Sequence, residues 1–306
     1  VFQQQHSSLL HLLPAMKLPE SFDSIKNSIV AFVHKHAPQV EGQPPPEFPH
    51  IIGTGFVVAE SGLIVTNAHV VDEFDRAPAL EKSESYPVHA LIYKRTDDGL
   101  LQIALDVVAV ATPEIIARPR GYYGPKEGPD LGLVQVRARG LPPVTIDGTT
   151  VVVEGMAVAT AGYPMGTAAL TAPGWLHQIT PMLQTGIISA VLPFTGALPH
   201  GYAVNVMIQG GASGSPLFLP DTGQVVGVMD SSLDDVRGAR SREAQFVYSV
   251  PTNISYAVPA RYLSSHLLGD AASELPDPAS YPHFNELIDE AKTVPPGTVN
   301  RWTSVS

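Results

Sequence analysis

The chain has 306 residues, 44% of them hydrophobic, with 18 basic against 29 acidic side chains and a formal charge of −11. That apolar content can bury one sizeable core or two smaller ones and argues against disorder, while the acidic balance repels phosphate backbones, so nucleic acid is not an expected partner. The lack of cysteine excludes disulfides, a thiol nucleophile and thiolate metal sites, and no stretch reaches the roughly 18 to 20 uninterrupted apolar residues of a membrane span.

The start, Val1-Phe2-Gln3-Gln4-Gln5-His6, has neither a basic region nor an initiator Met. Processing or trimming is expected there, which leaves both a cytoplasmic location and export after signal removal open. Ser21 to Lys26, entered through Pro19 and Glu20, reads as a short helix. Ile29 to His34 reads as a strand, and the Pro-rich stretch around 44–49 as a stiff loop. Many short strands follow, over 55–59, 63–66, 88–95, 100–110, 131–136, 151–153, 157–161, 186–190, 203–208, 225–229, 246–250 and 254–258. Glu60-Ser61-Gly62 and Thr96-Asp97-Asp98-Gly99 supply hairpin chemistry. No helix of ordinary length interrupts the series, so an all-β sandwich or barrel is favoured over a parallel α/β sheet. A helix is expected over 261–268 with Gly269 as its stop, then an acidic helical patch at 284–291. No internal repeat stands out.

Three segments carry candidate chemistry. Gly210-Gly211-Ala212-Ser213-Gly214-Ser215-Pro216 has glycines where a tight turn would present Ser213 and aim backbone N–H groups at a developing oxyanion, although Gly-Ser segments are also ordinary loops. Leu63-Ile64-Val65-Thr66-Asn67-Ala68-His69 delivers an imidazole from the end of a strand. The chain has eleven histidines, and a lone one is commonly a surface or capping group. His34 and His36 lack further ligands at metal spacing and read as solvated strand residues, so no metal and no cofactor are expected. Asp130-Leu131-Gly132-Leu133-Val134 opens an apolar strand with a carboxylate that needs donors, and orienting a His is one way to find them. Its rival is Asp106, which mid-strand alternation would turn to solvent. The order His, Asp, Ser matches the chymotrypsin arrangement and neither the subtilisin nor the α/β-hydrolase order.

With these motifs in hand, the chain resembles trypsin-like serine peptidases, and within them the bacterial HtrA-type (Deg) protease domain. Gly53-Thr54-Gly55-Phe56-Val57-Val58 ahead of the His segment, and Gly155 to Gly166 with Gly162-Tyr163-Pro164, are similar to that family, as are Gly186-Ile187-Ile188-Ser189-Ala190 and Ile254-Ser255-Tyr256-Ala257-Val258-Pro259. The resemblance runs from about residue 21 to 268. It implies two six-stranded antiparallel β-barrels of the chymotrypsin-like fold with short N- and C-terminal helical extensions. The expected division is a lead-in at 1–27, a first barrel at 28–145, a second barrel with its helix at 146–268, and a tail at 269–306. His69 carries over as general base and acid, Asp130 as orienter, Ser213 as nucleophile, and the N–H groups of Gly211 and Ser213 as the oxyanion hole.

The expected function is a serine endopeptidase acting on polypeptides. Met207, six before Ser213, maps to the base of the pocket for the residue preceding the cut (P1), with Ser232 and Ile254 on its walls. That lining favours small or medium apolar side chains such as Ala, Val or Leu. Asp230 aligns near the triad carboxylate, as a supporting partner or as a strand-end residue facing water. The chain departs from the family at Ala212, which offers no carboxylate for a freed N-terminal amine, and at Ser215, whose Cβ stands where Gly is usual. No PDZ-like domain fits in 270–306. The N-terminal segment could join copies, as in HtrA-type trimers, or cap the first barrel, so a homo-oligomer stays open. Asn253-Ile254-Ser255 matches a glycosylation sequon but falls on an expected core strand. The competing readings are an inactive or latent scaffold that binds protein partners, and a peptidase that processes mainly itself or one partner.

Overall fold

Short β-branched runs separated by turn residues can each bury little alone, and here they close on one another. In a computed structural model, the described residues are 17–35, 51–74, 85–96, 99–112, 129–164, 180–196, 198–240, 245–263 and 278–293. Six strands form the first closed barrel: β1 (Ile29–His34), β2 (Ile51–Ala59), β3 (Leu63–Thr66), β4 (Val88–Thr96), β5 (Gly99–Ala111) and β6 (Gly132–Val136). They are joined in the order β1-β2-β3-β6-β5-β4, and β4 pairs back onto β1. The β2–β3 hairpin turns at Gly62, whose φ of +87° suits glycine.

The second closed barrel holds β7 (Ala157–Gly162), β8 (Met182–Leu192), β9 (Gly201–Val204), β10 (Pro216–Phe218), β11 (Val225–Arg240) and β12 (Gln245–Pro259). Read from its first strand, its order is β7-β8-β9-β12-β11-β10, the path of the first barrel repeated. The duplication is topological and leaves no spacing in the sequence. The chain changes barrels within a few residues. The Val144 N–H donates to the Val57 carbonyl in barrel one, and the Val225 N–H of barrel two donates to the Thr145 carbonyl.

Several expected strands differ. Residues 151–153 join no ladder among the described residues, because Asp147 accepts from the N–H groups of Thr149 and Thr150 and bends the chain there, leaving Val151 and Val153 exposed. The strand expected over 203–208 ends at Val204, where Asn205 turns its side-chain carbonyl onto the Ile187 N–H at 2.6 Å. Two expected strands at 246–250 and 254–258 are one, β12. β10 escapes a pattern reading because it is three residues long and opens on proline. Of the helix expected over 261–268, Ala260–Tyr262 forms a single 3₁₀ turn, and residues 264–268 lie outside the described residues.

β1 and β6 are buried on both faces. In β1, Ile29, Ala31 and Val33 join a cluster that continues into barrel two through Ala159, Ala161, Phe218 and Val228. Val30 and Phe32 join a second cluster with Val57, Ile64, Ile92 and Val134. The terminal helices cross over. Helix α1 (Leu18–Ile25) leads into barrel one but donates a hydrogen bond from Ser21 Oγ to the Pro220 carbonyl of barrel two. A later helix, Phe284–Thr293, follows barrel two but packs Phe284, Leu287 and Ile288 into the second cluster of barrel one.

Asp106 does not face open solvent as expected. It pairs across the ladder with buried His89, whose Nδ1 lies 3.4 Å from its carboxylate, and Lys35 Nζ reaches it at 2.5 Å from the end of β1. His89, and then Lys35, hold the Asp106 carboxyl far below the usual carboxylate range against the opposing effect of burial. A lowered folded-state value stabilises the fold above the carboxyl's ordinary titration point near 3.8, and the stabilisation is lost as pH falls below it. Asp106→Asn is therefore expected to lower the urea midpoint at pH 7, with the gap from the parent narrowing progressively below about pH 4. Parallel denaturation curves across that range check it.

Candidate active site

His69 does not sit at a strand edge. β3 ends at Thr66, and Asn67, in extended conformation (φ −90°, ψ 155°), opens the short helix α2 (Ala68–Asp72), which carries His69 in its first turn. With α2 placed, the later helix Phe284–Thr293 is α3. Buried Asn67 donates from Nδ2 to the Asp130 carbonyl at 2.8 Å, tying the helix start to the segment before β6. Asp130 then holds His69 twice. Its Oδ1 accepts the His69 backbone N–H at 3.1 Å, and its Oδ2 lies 2.5 Å from His69 Nδ1. The carboxylate is buried and the imidazole is 37% exposed, so one end of the ring is fixed and the other opens to the cleft.

Ser213 arrives from barrel two on the turn between β9 and β10. Gly211 and Gly214 have φ of +93° and +85°. A Cβ on Gly214 would lie 2.0 Å from the Thr54 carbonyl, so that position requires glycine twice over. Among the described residues, neither the Gly211 nor the Ser213 N–H donates to a protein acceptor. Ser213 Oγ donates to the Asp230 carbonyl at 3.0 Å, and the Asp230 carboxylate stands 4.0 Å from His69 Nδ1. Asp230, weighed in the sequence as partner or solvent-facing residue, thus lies beside both the ring and the serine.

One residue passed over in the sequence except as part of a motif is Thr54 of β2. Its N–H donates to the Ser213 carbonyl at 2.9 Å, and its hydroxyl donates to the Gly211 carbonyl at 2.6 Å. The same hydroxyl accepts the Tyr163 N–H at 3.1 Å, and its carbonyl accepts from Thr66 Oγ1 at 2.7 Å. A fully buried threonine next to a glycine gave no signal, because its partners in barrel two lie more than 100 residues away.

Of Met207, Ser232 and Ile254, the structure places the first two beside Ser255, while Ile254 precedes Ser255 on β12 and its side chain alternates to the other face of the strand. The buried Ser255 hydroxyl donates to the Val206 carbonyl at 2.6 Å and accepts the Ile208 N–H at 3.2 Å, holding the residues on either side of Met207. Ser232 is its cross-strand partner and Ile254 its chain neighbour. Of the sequon, Ser255 is buried with its hydroxyl engaged, whereas Asn253 is exposed and not part of a core face as expected. Met207 and Ile254 are left exposed, at 39% and 38%. His34 is half-buried on β1, and His36 lies outside the described residues.

The model of the trypsin-like peptidase domain matches residues 53–228, more than half of the chain. The chain belongs to the trypsin-like peptidase family. Over 180 residues it is 29% identical to a "probable periplasmic serine endoprotease DegP-like" of Halomonas elongata, and equally so to one of Pseudomonas fulva. Each match covers 58% of this chain and 28% of the relative, so the chain spans under a third of the length of these relatives. Among solved structures it is similar to a serine endoprotease from Yersinia pestis, at 16% identity and a TM-score of 0.49 over 83% of this chain and 66% of that one. It is also similar to the HtrA-type protease AlgW with a tripeptide, at 14% identity and a TM-score of 0.47 over 84% and 63%.

Ser215 does not displace the turn. It is buried, its hydroxyl donates to the Ala212 carbonyl at 2.6 Å, and the space it needs is left by Gly162, where a Cβ would lie 1.9 Å from Ser215 Oγ. Gly162→Ala is therefore expected to overpack the Ser213 turn and cost about 1 to 3 kcal/mol. Ser215→Gly removes the clashing atoms, so the double variant should recover most of the loss. A four-member cycle of urea midpoints checks it, and additive losses would show that the two positions do not compete for one space.

Proposed function

We propose that the chain is a serine endopeptidase that hydrolyses peptide bonds through an acyl-enzyme, with His69, Asp130 and Ser213 as its triad. The observation that carries this reading is the double grip of Asp130 on His69. A carboxylate at Nδ1 selects the tautomer with its proton there and leaves Nε2 as an acceptor facing the cleft. At rest the Ser213 hydroxyl donates to the Asp230 carbonyl, and this reading requires it to turn toward Nε2. Such links commonly close only when substrate is bound.

In the forward reaction Ser213 Oγ attacks the peptide carbonyl while His69 takes its proton. The N–H groups of Gly211 and Ser213 receive the oxyanion, each such donor being worth about 3 to 4 kcal/mol. His69 then protonates the leaving amine and water releases the acyl group. Exposed, apolar Met207 beside the Ser255 anchor supports small or medium apolar P1 residues, because burial against it rewards apolar area. The relatives' name, periplasmic, supports an exported location. No helix among the described residues is long and apolar enough to cross a membrane.

The resting Ser213–Asp230 bond also favours a second reading, a latent site that needs an activator. Treatment with a fluorophosphonate and mass spectrometry separates the two. A single adduct on Ser213, absent from Ser213→Ala, is the expected result, and no adduct on the folded protein would favour latency. A peptide library should then be cut mainly after Ala, Val or Leu, and cleavage dominated by Lys or Arg would overturn the pocket assignment.

A further inference from the structure

Three donors that the sequence places far apart converge beside the serine. His69 offers Nδ1 from α2, Asp130 a carboxylate oxygen from the segment before β6, and Asp230 a carboxylate oxygen from β11. These three atoms lie within 4.8 Å of one another. We propose that they form a binding site for a divalent transition cation of the zinc type, whose occupancy switches off the peptidase; the inhibitory half of the proposal rests on the serine peptidase reading.

The geometry is close to that of a filled site. Ligand atoms about a tetrahedral zinc, with bonds of about 2.0 to 2.1 Å, stand roughly 3.3 Å apart. Nδ1 lies 2.5 Å from Asp130 and 4.0 Å from Asp230, which bracket that value. Opening the first gap and closing the second by about 0.8 Å each would seat the ion. Charge favours it as well. Two carboxylates around a neutral imidazole sum to −2, which a divalent cation cancels. The donor set of one imidazole nitrogen and two carboxylate oxygens suits zinc, whereas Mg²⁺ and Ca²⁺ prefer all-oxygen surroundings. Asp230 is 28% exposed, which gives an ion a path from solvent on that side, with water as the fourth ligand.

Occupancy changes the ring's proton position. A cation on Nδ1 takes the lone pair that can form only when the proton has left that nitrogen, so the neutral ring carries its one proton on Nε2. The proton has moved through solvent from one nitrogen to the other, and the ring's charge is unchanged. Nε2 is then a donor and cannot accept from Ser213. The ion thus inhibits by imposing the wrong tautomer while the cleft stays open to substrate.

Isothermal titration with ZnCl₂ on Ser213→Ala, which keeps all three donors, tests binding without turnover. One site is expected, weakened at least tenfold when Asp230→Asn is added, with unchanged thermal melting of the metal-free proteins as the check on folding. Asp230→Glu, which restores a carboxylate, should recover part of the affinity. In the active chain, Zn²⁺ should block fluorophosphonate labelling at the concentration that half-fills the titrated site, and Mg²⁺ should not. Equal zinc affinity with and without Asp230→Asn, or a labelling block that the substitution leaves unmoved, would overturn the site. Absence of labelling in metal-free protein would instead count against the serine nucleophile, and the titration would still judge the cation site on its own.

Discussion

The site is assembled from two barrels, so its geometry depends on how one barrel is registered against the other, and Thr54 sets that register. Its backbone and side chain hold the carbonyls on either side of Ala212, while its own carbonyl is held by Thr66, three residues before His69. The path from imidazole to nucleophile turn therefore runs through one buried side chain and short, well-made hydrogen bonds. Each is worth only about 1 kcal/mol net, but breaking one inside a buried network strands its partner at a cost of about 1 to 3 kcal/mol. Rigidity at the site comes from this accumulation of satisfied polar groups more than from any single strong contact.

The two barrels contribute unlike parts. Barrel one gives His69 and Asp130, held by the start of α2 and the entry to β6. Barrel two gives the turn with its left-handed glycines, and the Asp230 that borders both the ring and the serine. The extra carboxylate makes the surroundings of His69 more negative than a single orienting Asp would.

Much of this was legible in the sequence where the signal is local. The hairpin around Gly62, the apolar run of β6 and the glycines flanking Ser213 each announce themselves within a few residues, and the order of three motifs points to the fold. What was hidden depends on distant partners. The environment of Asp106 is set by Lys35 and His89 from other strands, so alternation alone misplaces it. The strand expected through Met207 stops because Asn205 and Ser255 take over the ladder's hydrogen bonds with side chains, which no period reveals. Ser215 looked disruptive only because the glycine that accommodates it lies more than fifty residues earlier.

The crossing of the terminal helices has a consequence for how the molecule comes into being. A chain made from its N-terminus completes the strands of barrel one long before Phe284, Leu287 and Ile288 exist to cover one of that barrel's apolar clusters. Until then the first barrel carries an uncovered greasy patch, and α1 waits for a barrel-two carbonyl that has yet to be synthesised. Neither half reaches its final packing alone. Final packing of barrel one is thereby tied to residues made well after its own strands, and a chain interrupted between the barrels holds His69 and Asp130 without Ser213.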